Sequence, residues 1–200
     1  ERNLMVSKEL RRELEGRGAS VESHLAPGYG EHLVARVEGE SAAGPPLLVV
    51  GHMDTVHAVG TLARVSFAVE EASDRVRGPG TYDMKGGLAV AITALDLLSL
   101  VGRRPAGDLL FLITCDEELG SPTSRVLIEE NARRARGALV LEPPAPGGAA
   151  KTRRKGVGWF RVSVQGRPAH AGIDPDAGAS AVHELIRILE DIRLLADSDK

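Results

Sequence analysis

The apolar run Leu47–Val50 and the polar residues directly after it constrain the fold of this chain more than any other feature. The run predicts a buried strand, and Gly51, His52 and Asp54 follow at its carboxyl end. Because side chains alternate along a strand, His52 and Asp54 are expected on the same side of the chain. The imidazole can then bind a metal ion while the neighbouring carboxylate fixes its orientation. The segment therefore predicts a strand that ends at a metal site.

Strands alternate with helices through the first part of the chain. The patterns predict strands at 32–37, 47–52, 65–69, 108–115 and 138–141, and helices at 3–16, at 86–100 and from Ser121 to a stop at Gly137. This alternation indicates an α/β fold, in which ligands gather beyond the carboxyl ends of the strands. The candidate residues at such ends are His52, Glu117, Glu118 and Glu142. The helix at 86–100 is apolar nearly all round, which is typical of a buried helix.

A change of composition near residues 143–150, which are rich in Pro, Gly and Ala, indicates a linker. After it, residues 159–165 alternate as a strand and residues 179–195 follow the pattern of an amphipathic helix. One strand and one helix bury too little apolar area to offset the chain entropy lost on folding. We therefore expect residues 1–150 to form an α/β domain and residues 151–200 to begin a second domain that continues beyond this sequence.

The composition argues against several classes of protein. A net charge of -3, and a basic run at residues 151–155 without interleaved aromatic residues, give no reason to expect a nucleic-acid partner. No apolar stretch approaches the roughly 20 residues of a membrane span. The single cysteine leaves no intrachain disulfide framework, so a reducing compartment is permitted. We expect a cytoplasmic protein without a membrane partner, and an upstream segment because Glu1 is not an initiator Met.

Further acidic positions accompany His52 along the chain: Asp83 in a glycine-rich turn, the pair Glu117 and Glu118, and Glu142. With the imidazole they form a set of N and O donors suited to zinc, and also to cobalt or manganese. Two such ions close together need a carboxylate between them to offset their repulsion, and Asp83 can fill that place. Adjacent glutamates at a strand end point in different directions. One can therefore bind metal while the other acts as general base.

These residues lie in motifs that carry a family resemblance. In chain order the motifs read G-H-M-D-T-V, G-P-G-x-x-D-M-K-G-G, D-E-E-x-G-S, L-E-P and G-R-P-A-H-A-G. With them the chain resembles the M20 family of zinc metallopeptidases, most closely its glutamate carboxypeptidase branch, from about His32 to its last residue. The resemblance implies a zinc-exopeptidase-type mixed sheet flanked by helices in the catalytic domain. The start of an α+β lid and dimerisation domain would follow it.

The resemblance also implies a zinc pair held by residues of this chain: His52 and Glu142 at one ion, Glu118 at the other and Asp83 between them. It implies that Asp54 orients the imidazole and that Glu117 is the general base. The Asp83–Met84 peptide bond is expected to be cis. His170 matches the lid histidine that helps to stabilise the tetrahedral intermediate, often from the neighbouring subunit, so a homodimer through the lid domain is expected.

The implied reaction removes a C-terminal amino acid, with glutamate as one candidate, from a small peptide or an N-acyl amino acid. Glu117 would activate a water molecule on zinc for attack on the amide carbonyl. Two relatives with the same site remain open: an N-acyl amino acid deacylase and a desuccinylase. The contrasting reading is a truncated, non-catalytic protein that only binds metal or dimerises. No residue matches the family's final histidine ligand, so we expect the 200-residue chain to be inactive alone.

The remaining candidates for chemistry are interpreted as structural. Cys115 is expected to be a small buried strand residue whose apolar neighbours raise the pKa of its thiol. His57 is expected on a loop surface. The other histidines taken as background are His24, His32 and His183.

Overall fold

The structure, a computed structural model, describes residues 2–41 and 43–196 and divides the chain between Ala150 and Lys151 into two compact units. The helices are α1 (Arg2–Glu15), α2 (Thr61–Arg64), α3 (Gly86–Leu100), α4 (Arg125–Arg134) and α5 (Ala181–Leu194). The strands are β1 (Ser20–Ala26), β2 (Gly30–Val37), β3 (Leu47–His52), β4 (Ala68–Glu70), β5 (Arg75–Arg77), β6 (Leu109–Thr114) and β7 (Gly137–Val140). None of the described helices is long and apolar enough to cross a membrane.

The first unit contains a mixed sheet whose strand order is β1-β2-β6-β3-β7. Strand β3 runs parallel to both of its neighbours, β6 and β7, whereas β2 is antiparallel to β6 and β1. His52, the last residue of β3, pairs with Thr114, the last residue of β6. The residues that follow these two strands therefore lie side by side, at the carboxyl ends of the two strands. This arrangement confirms the predicted α/β fold with a mixed sheet.

The core of the first unit lies between the sheet and the helices that cover it. Helix α1 buries Leu10 and Leu14 in the cluster that contains Leu33 and Phe111 of the sheet. Helix α3 joins the same cluster through Leu88 and Leu95. Its other face is exposed, as at Val90 and Leu97. The prediction of a helix buried on all sides is therefore wrong for the residues that the structure describes, because the sheet covers α3 from one side only.

The boundaries of the elements follow local chemistry in most places. Strands β3, β6 and β7 and helices α1 and α3 lie within a few residues of their predicted positions. Helix α4 begins at Arg125 rather than at Ser121, because Ser121 has a positive φ of 57° and belongs to a turn. Strand β1 was not predicted, since its sequence is mostly polar and it lies exposed at the sheet edge. The irregular region around 65–77 forms the short antiparallel pair β4 and β5.

The second unit contains helix α5, whose N-terminus is capped by Ser180. The Ser180 hydroxyl oxygen accepts a hydrogen bond of 3.2 Å from the backbone N–H of His183. Arg167 and Ala179 exchange two backbone hydrogen bonds of 2.9 and 2.8 Å. The strand predicted at 159–165 is not formed. A strand needs a neighbour to pair its backbone groups, and within the described part of this unit only the Arg167–Ala179 bridge is of that kind.

Candidate metal centre

Close packing between α3 and the end of β7 brings two acidic segments together. Gly87 lies in the first turn of α3, and a Cβ atom there would lie 2.0 Å from the carbonyl oxygen of Leu141. Glu142 follows Leu141 directly, and Asp83 lies a few residues before Gly87. Only a residue without a side chain permits this approach. The Asp83–Met84 peptide bond is cis, as predicted.

The imidazole of His52 is buried and presents its two nitrogens to different groups. Nδ1 lies 3.1 Å from the backbone oxygen of Asp54 and 3.5 Å from its carboxylate oxygen Oδ1. Nε2 lies 3.1 Å from Oδ1 of Asp83, 3.3 Å from Oε1 of Glu142 and 3.8 Å from Oε2 of Glu117. With Asp54 at one nitrogen, the lone pair of the other can point into the carboxylate cluster.

The structure forms two groups of donors that could each hold a cation, both containing His52. One group consists of His52, Glu117 and Glu142, and the other of His52, Asp83 and Glu118. Within each group the donor atoms lie within 4.8 Å of one another. One imidazole with carboxylate oxygens is a donor set that zinc accepts. Predicted ligands from four separate segments thus meet at one place, and Glu117 lies with them.

Asp54 connects the end of β3 to the turn that carries the two glutamates. Its Oδ2 atom accepts a hydrogen bond of 3.0 Å from the backbone N–H of Glu118. Its Oδ1 atom is buried, has no hydrogen-bond partner and lies 3.5 Å from Nδ1 of His52. The side chain of Glu118 returns towards the same loop, because Oε1 accepts a hydrogen bond of 3.1 Å from the N–H of Val56.

Burial and the crowding of charges shift several pKa values at this centre. Burial disfavours the charged form of His52, but the carboxylates of Asp54, Glu117 and Glu142 outweigh it and raise its pKa to about 9. Burial raises the pKa of Glu117, and the Glu142 and Glu118 carboxylates add to this while His52 opposes it. For Asp54, burial acts upwards, yet the contacts with His52 and with the Glu118 N–H leave its pKa lowered.

Lys85 is a part of this centre that the sequence patterns did not predict. Its Nζ donates a hydrogen bond of 3.1 Å to the backbone oxygen of Met53. Burial lowers the pKa of Lys85, while Asp54, Glu118 and Asp83 act in the opposite direction. Its place directly after Asp83-Met84 in the glycine-rich motif was the available signal. The ammonium group supplies a positive charge beside the carboxylates.

A cavity of about 770 Å³ opens beside the centre in the first unit. Asp54, Lys85 and Glu118 contribute its polar wall. Its apolar wall includes Tyr29, Val59, Leu62 and Leu119. The space is large enough for a small organic substrate.

The other histidines and the cysteine have varied outcomes. Cys115 is buried, and burial raises the pKa of its thiol to about 12, as predicted. His57 is exposed on its loop, also as predicted. His32 is buried and hydrogen-bonded to Thr123, so it has a structural place in the fold. His170 is exposed in the second unit, where its Nδ1 accepts a hydrogen bond of 3.2 Å from the N–H of Gly172.

Comparison with a protein-family model and comparison with curated proteins agree with each other. The model of peptidase family M20/M25/M40 matches residues 48–193. The chain is 37% identical to carboxypeptidase G2 of Pseudomonas sp. (strain RS-16) over 178 residues, which are 88% of this chain and 42% of that protein. It is 33% identical to acetylornithine deacetylase of Myxococcus xanthus over 167 residues, 82% of this chain and 41% of that protein. Succinyl-diaminopimelate desuccinylase of Methylorubrum extorquens (strain PA1) is also 33% identical, over 79% of this chain and 43% of that protein.

The solved structures agree with the fold. A tripeptidase from Staphylococcus aureus subsp. aureus Mu50 has a TM-score of 0.66 at 21% identity, and the match covers 92% of this chain and 50% of that chain. At this identity the likeness shows the fold alone. The chain spans 41–43% of the length of the three curated relatives named above.

Proposed function

The chain belongs to peptidase family M20/M25/M40, and on that premise we propose that it forms the metal-binding part of a dizinc peptidase or amidohydrolase. The reaction proposed for the whole protein is hydrolysis of the amide bond of a C-terminal amino acid in a peptide or an N-acyl amino acid. One observation carries the proposal. Nε2 of His52 lies within 3.8 Å of carboxylate oxygens from three separate segments while Asp54 occupies the side of Nδ1.

The proposed ligands are those that the family resemblance implies, and the two donor groups support them by bringing these residues together. His52 and Glu142 would hold one ion, Glu118 the other, and Asp83 would lie between them. The donors fit, because clustered carboxylates around a buried imidazole repel one another unless a cation offsets their charge. Bound zinc ions polarise the scissile carbonyl and lower the pKa of water.

Glu117 is the proposed general base. Burial raises the pKa of its carboxyl towards the range in which it exchanges protons near neutral pH. It would take the proton of the attacking water and then deliver it to the leaving amine. Oε2 of Glu117 lies 3.8 Å from Nε2 of His52, a position that would also suit a metal ligand. The roles of general base and metal ligand therefore need a direct test.

Residues of the second unit complete the proposal. We assign to His170 the stabilisation of the tetrahedral intermediate, and to this unit the contact of a homodimer. Helix α5 supports the second assignment, because it exposes apolar residues along one face: Val182, Ile186, Leu189 and Ile192. Analytical ultracentrifugation of the unaltered protein and of Ile186→Glu tests the dimer, which the charged side chain should dissociate.

The substrate class is best sought with a panel of amides. Carboxypeptidase chemistry is the first choice, because carboxypeptidase G2 is 37% identical and the two deacylases are 33% identical. The panel contains dipeptides and N-acyl amino acids with C-terminal glutamate, N-acetylornithine and N-succinyl-diaminopimelate. Cleavage of N-acetylornithine or N-succinyl-diaminopimelate alone would indicate a deacylase instead.

Metal content and hydrolysis together test the proposed function. The protein that carries this chain is loaded with zinc, its metal content is measured by elemental analysis, and hydrolysis is followed with and without a chelator. We expect two zinc ions per chain and activity that the chelator removes and added zinc restores. Hydrolysis that survives complete removal of metal would contradict the proposal. Zinc binding by the protein without hydrolysis of any member of the panel would favour the non-catalytic alternative.

A further inference from the structure

Asp116 precedes the glutamate pair and is completely buried, with 0% of its surface exposed. Its Oδ2 atom accepts three hydrogen bonds: 2.7 Å from the N–H of Thr123, 2.7 Å from the hydroxyl of Thr123 and 3.0 Å from the N–H of Ser124. Its backbone oxygen accepts further bonds from the N–H groups of Leu119 (3.3 Å) and Ser121 (3.0 Å). Asp116 thus closes the loop 116–124 through both its side chain and its main chain.

His32 ties this loop to strand β2. Its Nδ1 accepts a hydrogen bond of 3.2 Å from the backbone N–H of Cys115, so in the neutral ring the proton lies on Nε2. Nε2 lies 2.9 Å from the hydroxyl oxygen of Thr123 and donates to it. The Thr123 hydroxyl donates in turn to Asp116. A continuous set of hydrogen bonds therefore runs from the sheet to the carboxylate next to Glu117.

We propose that Asp116 is a positioning residue for the hydrolytic reaction. With Thr123 and His32 it holds the turn 117–119 in the conformation in which Glu117 and Glu118 reach the surroundings of His52. The inference rests on the proposed function, because it gives the turn its role at the metal centre. Ligands and bases need positions accurate to about 0.5 Å, and a turn of three residues has no packing of its own to supply that accuracy.

The hydrogen bonds distinguish two substitutions at this position. Asp116→Ala removes the acceptor and leaves the donors of Thr123 and Ser124 unpaired. Asp116→Asn can keep its carbonyl oxygen at the place of Oδ2 and put its NH₂ group at the place of Oδ1. Oδ1 of Asp116 is buried and has no hydrogen-bond partner, and neither has Oγ of Ser124. An NH₂ group at the place of Oδ1 therefore breaks no existing hydrogen bond. The asparagine variant should therefore preserve the turn.

Asp108 provides a matched control at the other end of the same strand. It directly precedes β6, is buried, accepts a hydrogen bond of 2.9 Å from the N–H of Gly39 and pairs with Arg36. Asp108→Ala removes a buried carboxylate with comparable bonds but leaves the loop 116–124 intact. It separates a general loss of stability from a loss of position.

The test combines amide hydrogen exchange with zinc affinity in the 200-residue chain. Exchange at Thr123 and Ser124 reports the loop, and competition with a chelator reports the affinity for Zn²⁺. We expect Asp116→Ala and Thr123→Val to speed exchange there and to weaken zinc binding about 10- to 100-fold. Asp116→Asn should stay close to the unaltered chain. Asp108→Ala should lower the melting temperature without changing zinc affinity.

Three results would overturn the inference: unchanged loop exchange in Thr123→Val, unchanged zinc affinity despite faster exchange, or an equal loss of affinity in Asp108→Ala. If Asp116→Ala does not fold, Thr123→Val and Asp116→Asn decide. If the unaltered chain binds no zinc, the proposed metal centre fails, and the positioning role fails with it even where the exchange results hold. If the unaltered chain binds zinc normally and one of the three results is found, only the positioning role of Asp116 fails.

Discussion

Oδ2 of Asp54 accepts a hydrogen bond of 3.0 Å from the backbone N–H of Glu118. The other carboxylate oxygen of Asp54 lies 3.5 Å from Nδ1 of His52. One largely buried side chain therefore contacts two proposed ligands that belong to different segments. Its effect on the centre should exceed that of a residue that orients the imidazole alone.

Asp54→Ala should weaken zinc binding at both proposed ions. The substitution frees the His52 ring and leaves the Glu118 N–H without its acceptor, and loss of such supporting partners typically costs 10- to 100-fold in metal affinity. Titration with Zn²⁺ in the presence of a competing chelator measures the change. Glu38→Ala, at an exposed position outside the centre, serves as the control. Equal affinities for the Asp54 variant and the unaltered chain would contradict the double contact.

Glu117→Gln and Glu118→Gln should separate the roles of the adjacent glutamates. In the protein that carries this chain, Glu117→Gln is expected to retain two zinc ions and to lose hydrolysis by about 10²- to 10⁴-fold, because the amide cannot accept the proton of water. Glu118→Gln should lose zinc as well as activity. Elemental analysis and hydrolysis rates of both variants are compared under the same conditions. A zinc ion missing from Glu117→Gln would make this residue a ligand instead.

Much of the fold could be predicted because its main elements carry local signals. Strand β3 occupies the predicted range 47–52, since aliphatic residues dominate it and polar residues end it. Helix α3 occupies 86–100, although the exposure of Val90 shows that apolar residues on every side do not prove burial on every side. The strand predicted at 159–165 failed because alternation describes a possible strand and only a neighbouring strand can complete its hydrogen bonds.

The proposed ligands could be nominated from sequence because each follows a strand or lies in a glycine-rich motif. Their supporting partners were harder to find. Thr123 touches His32 across 91 positions, and Asp54 meets Glu118 across 64 positions. Such contacts depend on which strands become neighbours, and no pattern within either segment records that order. For this reason the sequence nominates His52 as a candidate ligand but gives no sign of the contacts that His32 makes.

The stability of the metal-free chain should decrease between pH 6.5 and about 9. His52 has an ordinary pKa of 6.5, and its carboxylate neighbours raise the pKa in the folded state to about 9. The folded state therefore binds the proton more tightly, and the stabilisation is complete below pH 6.5 and lost as the pH rises through 9. Urea unfolding at several pH values, with metal removed by chelator, measures the slope. His52→Gln should lack most of this slope, and a variant that keeps it would assign the effect to another group.

Gly87→Ala should destabilise the chain and weaken zinc binding, although alanine is the better helix former. Helix propensity alone would favour the substitution by about 0.5–1 kcal/mol. The new Cβ would lie 2.0 Å from the carbonyl oxygen of Leu141, a backbone atom that cannot move without shifting Glu142. Overpacking of this kind typically costs about 1–3 kcal/mol, so the clash should prevail.

Gly156→Ala is the control, because its Cβ would meet nothing within 4 Å and no positive φ is involved. Urea unfolding and zinc titration of both variants measure the two effects. A stabilised Gly87→Ala chain with normal zinc affinity would contradict the close approach of α3 to Leu141.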